Sequence, residues 1–380
     1  MKKIIIAPDS FKGSLTSVEV ANAIEEGIKK ITPDCEIVKT PIADGGEGTM
    51  DTMVSALRGE NVSVRVHDPL MRPIKVEYGL VNDGKTAIIE MAIISGITLL
   101  HKDEQNPSTT TTFGTGEIIK DALKRGCRSF LIGIGGSATN DAGTGMLRAL
   151  GYRFLDKNEK EIEGTGKNLQ SIQTIDESGI IPELKEAEFK IACDVNNPFS
   201  GPNGAAYVFA IQKGADMQMV KELDNGMESF RKLIEKEKRI NLNTIPGSGA
   251  AGGLGGGFIA FLNAQLKPGI EIVLDAIGFE NHLQNADLVI TGEGKLDKQT
   301  VMGKAASGIL DAAKKHNIPV IAIGGSIEDI ESLTKRGFVS AFSIAPYPIS
   351  LEEAMQKDNA TRNITQTIEQ IMRTIKKFQK

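Results

Sequence analysis

The chain has 380 residues, 40% of them hydrophobic and 24% charged, with a net charge of −5 and a pI near 5.6. That length suits two domains with sizeable cores, and that balance excludes a disordered chain. Lysines and arginines are interleaved with acids, so the basic stripe that a nucleic acid or an anionic membrane needs is absent.

Lys3–Ala7 is an apolar run that reads as a buried parallel strand, too short for a signal peptide. Nowhere does an apolar stretch near the roughly 18–20 residues of a membrane helix, so a cytoplasmic protein is expected. After the loop Pro8–Leu15, Thr16 and Glu19 form a capping box. It opens a helix expected to bury Val18, Ala21, Ile24 and Ile28. Glu36–Thr40 is the next strand, feeding Ala43–Thr49 and a helix through Leu57. This β-α-β-α alternation is that of a wound α/β sheet.

The pattern then changes. Val62–Val66, Ile74–Val81 and Thr86–Met91 read as three strands without an intervening helix, the last two joined by an Asn82-Asp83-Gly84 turn. A helix follows over about 115–125, then a strand Phe130–Ile134, a Gly-rich loop and a helix through Leu150. Residues 151–190 are polar and carry no clear period. Lys190–Cys193 is a short strand, Met217–Lys236 a long amphipathic helix, and Phe258–Leu266 an apolar helix after a Gly-rich run. Alternation returns with strands at Leu288–Thr291, Pro319–Ile323 and Phe338–Ile344, and a helix Lys304–Lys315. The last helix carries Ile364, Ile368, Ile371, Ile375 and Phe378 on one stripe, read as core packing. The expected fold is therefore α/β: a Rossmann-like wound parallel sheet built from both termini (1–65 plus 266–380), with a mixed-sheet α/β domain inserted (66–265).

The 41 glycines cluster in loops after strands, where open α/β sheets bind ligands. One textual match fails. Gly79–Thr86 fits the P-loop spacing, but it sits in a hairpin and lacks the strand-to-helix context that supplies amides to phosphate. Six loops remain. Asp9-Ser10-Phe11-Lys12-Gly13-Ser14 offers a cation and hydroxyls to an anion. Ala43–Thr49 sets Asp44 and Glu47 among Gly45, Gly46 and Gly48, with Asp44 placed to accept a hydroxyl proton or hold a metal. Gly133–Asp141 presents Gly135, Gly136, Ser137 and Asn140 as an anion cradle before a helix. Asp194 ends a strand. In Pro246–Gly257, Gly252 and Gly253 suit close approach to a nucleotide, or tight helix packing. Thr291–Thr300 holds Glu293 and Asp297, oxygen ligands suited to Mg²⁺.

Chemistry by thiol or imidazole is not indicated. The three cysteines are far apart and read as reduced. The four histidines have no carboxylate, Ser or Cys companions in a nucleophile pattern. Carboxylates, a lysine and backbone amides remain, and phosphoryl transfer needs little else.

Together the loops resemble the bacterial glycerate kinase family. The resemblance lies in Ala7–Leu15, Ala43–Thr49, Thr111–Ile118, Gly133–Gly143, Asp194–Gly201 with Gly204–Ala206, Gly249–Gly255 and Thr291–Thr300, in that order along the chain. It implies two α/β domains with the active site in a cleft between them. It implies ATP-dependent phosphorylation of D-glycerate, giving 2-phosphoglycerate in preference to the 3-phosphate. It does not say which acid is the base. On that footing Asp44 or Asp194 takes the hydroxyl proton, and Lys12, with Asp9 and Ser10 beside it, holds the carboxylate or the moving phosphoryl. Gly45, Gly46, Gly135, Gly136, Ser137, Asn140, Gly252 and Gly253 bind substrate or phosphate, and Glu293 and Asp297 bind Mg²⁺. Partners are then small molecules, D-glycerate and ATP, with neither nucleic acid nor membrane; a homo-oligomer is compatible with these features and not required by them. The second reading, a nicotinamide-dependent 2-hydroxy acid dehydrogenase, rests on the loose GxGxxA of Gly133–Ala138.

Overall fold

The computed structural model describes residues 1–43, 48–297, 300 and 304–378. Among them the strands are, in chain order, β1 (Lys3–Ile6), β2 (Glu36–Lys39), β3 (Glu60–His67), β4 (Pro73–Val81), β5 (Thr86–Glu90), β6 (Ser129–Gly133), β7 (Arg153–Leu155), β8 (Thr174–Asp176), β9 (Glu188–Ala192), β10 (Gln265–Lys267), β11 (Leu288–Leu296), β12 (Val320–Ile327) and β13 (Ser340–Ser343). The chain divides into two compact units, Met1–Asp44 with Ile270–Lys380, and Gly45–Gly269.

The first unit is a five-stranded sheet in the order β13-β12-β11-β1-β2, parallel throughout. Chain order runs outward from β1 in both directions, so the β1–β11 border is the switch point of a wound sheet. The Ser17–Lys29 helix starts on the expected capping box: Glu19 N–H donates to Thr16 Oγ1, and Thr16 N–H donates to the Glu19 carboxylate. Its buried face is Val20, Ala21, Ile24 and Ile28. Val18, expected inside, is 40% exposed, because the apolar stripe runs through 20, 24 and 28 and position 18 falls off it. The Lys357–Phe378 helix lays Ile364, Ile368 and Ile371 on the same core. Phe378, the expected end of that stripe, lies outside it and is exposed. The two helices touch closely at Gly27, where a Cβ would sit 2.7 Å from the Thr365 carbonyl oxygen and 2.8 Å from Ile368 Cβ.

The second unit holds a six-stranded sheet, β10-β9-β6-β5-β4-β3. It is mixed: β3–β4 and β4–β5 are antiparallel, and the other pairs are parallel. The β4–β5 connection is the hairpin expected in place of a P-loop, with Asn82, Asp83 and Gly84 all at positive φ. The sequence boundary near 65 put the Thr49–Ala56 helix in the first unit. In the structure it packs in the second, with Met50 N–H on the Glu90 carboxylate at 2.7 Å and Val54 against Gly79. Unread in the sequence, β7 and β8 form a two-stranded antiparallel ribbon. The apolar helix also ends sooner than expected. Asn263 takes a left-handed conformation after Leu262, and the next residues form β10.

Candidate active site

The carboxyl edge of the first unit's sheet gathers five of the expected site residues. The backbone beyond β1 keeps pairing with β11: Asp9 N–H donates to the Gly292 carbonyl at 2.8 Å. Asp9 is buried, and its Oδ1 accepts the Ser10 N–H at 2.6 Å. The chain then folds back, with Phe11 and Leu15 exchanging N–H···O bonds. Gly13 makes the turn at φ 77°, a conformation that costs a glycine little. Lys12 stands exposed at its tip.

From β11, Glu293 is buried and accepts the Thr300 hydroxyl at 2.5 Å. Thr300 Oγ1 also accepts the Asp297 N–H at 3.1 Å, so one threonine ties both acids into one loop. Lys295 bridges Glu328 at 2.6 Å and Asp297 at 3.8 Å. Asp9, Ser10, Lys12, Glu293 and Asp297 line a single cavity of about 460 Å³, joined by Gly325 and Ser326 from β12. Such volumes hold ligands of nucleotide size. Among the described residues no three metal-binding side chains converge. A Mg²⁺ site does not need three, because that ion takes one or two carboxylates plus substrate phosphates and water. Glu293 and Asp297 fit that description.

The second unit carries the other Gly-rich loops. After β6, Gly135 and Gly136 are exposed, and a Cβ on Gly135 would meet open space. Ser137 faces inward. Its Oγ accepts Lys213 Nζ at 2.6 Å, and the same amine donates to the Thr139 carbonyl at 2.7 Å. Lys213 is 3% exposed. Burial pushes its ammonium down to about 7, with the Asp141 charge pulling the other way. Asp141 is fully buried and takes N–H groups from Thr112, Gly143 and Gly145 and the Thr112 hydroxyl. Burial raises its pKa, and those hydrogen bonds oppose the rise. Lys213 and Asp141 therefore fix the shape of the Gly135–Gly145 segment. Neither was singled out in the sequence, because nothing local marks a lysine at the end of an alanine-rich turn as buried.

Asn140, expected at a phosphate, is buried against Met227 Sδ at 3.2 Å. Its Oδ1 and the Thr139 hydroxyl are buried and have no partner among the described residues. Gly252 and Gly253 lie at φ 69° and 85° inside the Ala250–Leu262 helix. A Cβ on Gly252 would be 2.0 Å from the Thr139 carbonyl, and one on Gly253 would be 2.7 Å from Met227 Cε. The close approach these glycines permit is thus to the protein's own backbone and side chains. The loop beyond β6 also reaches its helix, Thr144–Ala149, only after further turns, unlike a dinucleotide fingerprint that opens the helix directly.

Asp194 is exposed just beyond β9, and its Oδ1 accepts the Gly269 N–H at 3.0 Å. Asp44, Gly45 and Gly46 lie outside the described residues. Two histidines do have a carboxylate near them in space: His316 Nε2 is 3.8 Å from Glu280 Oε2, and, more closely, His67 Nδ1 is 2.9 Å from Glu117 Oε1. His67 and Glu117 are fifty residues apart, which sequence proximity cannot reveal. Cys35, Cys127 and Cys193 are free, and no helix among the described residues is long and apolar enough to cross a membrane.

Comparison with known proteins gives one answer. The profile described as "Glycerate kinase family" matches residues 4–376. The "Glycerate 2-kinase" of Escherichia coli (strain K12) is 45% identical over 372 residues, 96% of this chain and 98% of that protein. The "Glycerate kinase" of Bacillus subtilis (strain 168) is 46% identical over 375 residues, 98% of each chain. The crystal structure of a proposed glycerate kinase 2 from Salmonella typhimurium LT2 superposes with a TM-score of 0.91 at 44% identity, covering 100% of this chain and 99% of that one.

Proposed function

The chain belongs to the glycerate kinase family, and we propose that it transfers the terminal phosphoryl group of ATP to the 2-hydroxyl of D-glycerate, giving 2-phosphoglycerate and ADP. The observation that carries the chemistry is the cavity that sets Lys12 beside Asp9, Glu293 and Asp297 at the carboxyl edge of a parallel sheet. The family supplies the substrate. The hydroxyl oxygen bonds to the γ-phosphorus as the bond to ADP breaks, and the hydroxyl proton passes to a carboxylate, for which Asp44 and Asp194 are the candidates. Lys12 compensates the charge of the substrate carboxylate or the moving phosphoryl. Glu293 and Asp297 would hold Mg²⁺, which neutralises phosphate charge when bound. The exposed amides at Gly135 and Gly136 offer anion contacts, and Ser137, held by Lys213, sets their position. Asn140, Gly252 and Gly253 support that loop from within.

This reading places the enzyme in the cytoplasm, where its donor is found. The dehydrogenase reading gains nothing from the relatives above, which are kinases. Incubating the enzyme with D-glycerate, ATP and Mg²⁺ and then adding enolase alone tests the reading. Phosphoenolpyruvate should form at once, because enolase consumes only the 2-phosphate. Formation that requires added phosphoglycerate mutase would move the product to the 3-phosphate. Reduction of NAD⁺ without ADP release would replace the kinase altogether.

A further inference from the structure

The cavity of the first unit is larger than its polar half requires. Besides the acids and lysines, the cavity has an apolar lining: Phe11 from the first loop, Ile344 beyond β13, and Leu351 and Met355 from the short Leu351–Met355 helix. Phe11 and Ile344 are almost wholly buried, while Leu351 is 75% exposed. Met355 lies against the turn below it, since a Cβ on Gly13 would come within 2.6 Å of its Cε. Two polar groups reach this compartment without partners among the described residues. The Ser14 hydroxyl is buried and unpaired. Asn363 is 4% exposed, lines the cavity, and makes no side-chain hydrogen bond. It interrupts the buried stripe of the last helix between Ala360 and Ile364. An amide that faces the cavity without a protein partner is available to pair with a ligand.

We propose that this wall seats the adenine base of the phosphoryl donor and that the Asn363 amide reads the base's edge. The proposal rests on the kinase reading above and adds the determinant of nucleotide choice. A three-carbon hydroxy acid has no apolar face to cover the wall and fills only a fraction of about 460 Å³. A purine is flat and apolar on its faces and polar at its edge. An asparagine amide presents one donor and one acceptor side by side, which matches the donor–acceptor edge of adenine. Guanine offers two acceptors on the corresponding edge, so the amide discriminates between them. With the base on this wall, the phosphates extend toward Lys12, Glu293 and Asp297, which line the same cavity.

The test uses the full chain, wild type and two variants, Asn363→Leu and Leu351→Asp. Leu351 is exposed, so its variant should fold even if replacement of the buried Asn363 does not. Binding of ADP is measured by calorimetry, and KM for ATP, GTP and D-glycerate by ADP release. Both variants should bind ADP at least about tenfold more weakly, Asn363→Leu through the loss of one bidentate base contact and Leu351→Asp through a charge set in the apolar lining, with KM for D-glycerate within twofold of wild type. Asn363→Leu should also lose the preference for ATP over GTP. Unchanged ADP affinity in Leu351→Asp overturns the proposal, as does a rise in KM for D-glycerate with KM for ATP constant. If the wild type binds ADP, loses it in the variants, and yet phosphorylates no glycerate, the base seat stands and the assigned substrate falls.

Discussion

Replacing Lys213 with Met removes a buried amine whose folded pKa is pushed down to about 7 from an ordinary value of 10.5. Between these two values the unfolded chain carries the proton and the folded chain does not. Stability therefore rises with pH across that window. Taking both pKa values at face, the penalty for burying this group is about 4 kcal/mol at pH 7 and about 2 kcal/mol at pH 9. The wild type should thus gain about 2 kcal/mol on Lys213→Met between pH 7 and pH 9. Loss of the bonds to Ser137 and Thr139 adds an offset that does not vary with pH, so the slope is the readout. The chain has no Trp and four Tyr. Tyr78, Tyr152 and Tyr207 lie in the second unit and Tyr347 in the first. In a Tyr347→Phe background, tyrosine fluorescence in a urea titration therefore follows the second unit alone. A stability difference that stays flat from pH 6 to pH 9 would refute the reasoning, since it would mean that the amine titrates like an exposed lysine.

Asp44→Asn and Asp194→Asn should each lower kcat by roughly 10²–10⁴-fold if that residue takes the hydroxyl proton; steady-state rates decide, and near-wild-type turnover removes the residue from the role. Glu293→Gln should weaken activation by Mg²⁺ about tenfold or more while leaving KM for D-glycerate within twofold, measured by titrating free Mg²⁺ at saturating substrates. An equal rise in both constants would argue for a general collapse of the loop. Gly27→Val drives a side chain into the Thr365 carbonyl and Ile368 and should cost about 1–3 kcal/mol of stability, read as a lower melting temperature of the first unit.

Much of the fold is legible because buried parallel strands are short unbroken apolar runs, as in Lys3–Ile6 and Leu288–Ile290. The hairpin of the second unit is equally legible from Asn82-Asp83-Gly84. What escapes is what depends on distant partners. Ribbon strands of three residues, β7 and β8, have no room to show a period. Gly255, Gly256 and Gly257 stand in a helix against propensity because the Gly247 carbonyl, the Phe199 ring and the Ala142 carbonyl, in turn, press so closely that no Cβ would fit. At the site, acids and lysine after strands are visible as loop chemistry. The wall of Ile344, Leu351 and Met355 is not, since those residues read as ordinary apolar positions until the last helices fold over the first loop.

The sheet of the first unit is assembled from two lengths of chain separated by residues 45–269. During synthesis β1 and β2 emerge first, and the partner that β1 needs, β11, follows only after the whole second unit has been made. At about 5–20 residues per second that delay is on the order of tens of seconds. Throughout it, Ile4, Ile5 and Ile6 present an unpaired apolar edge of the kind that recruits other chains. A circular permutant that begins in the second unit and carries residues 1–44 after the present C-terminus would shorten the wait. It should yield more soluble protein from the same messenger, with the finished fold unaltered.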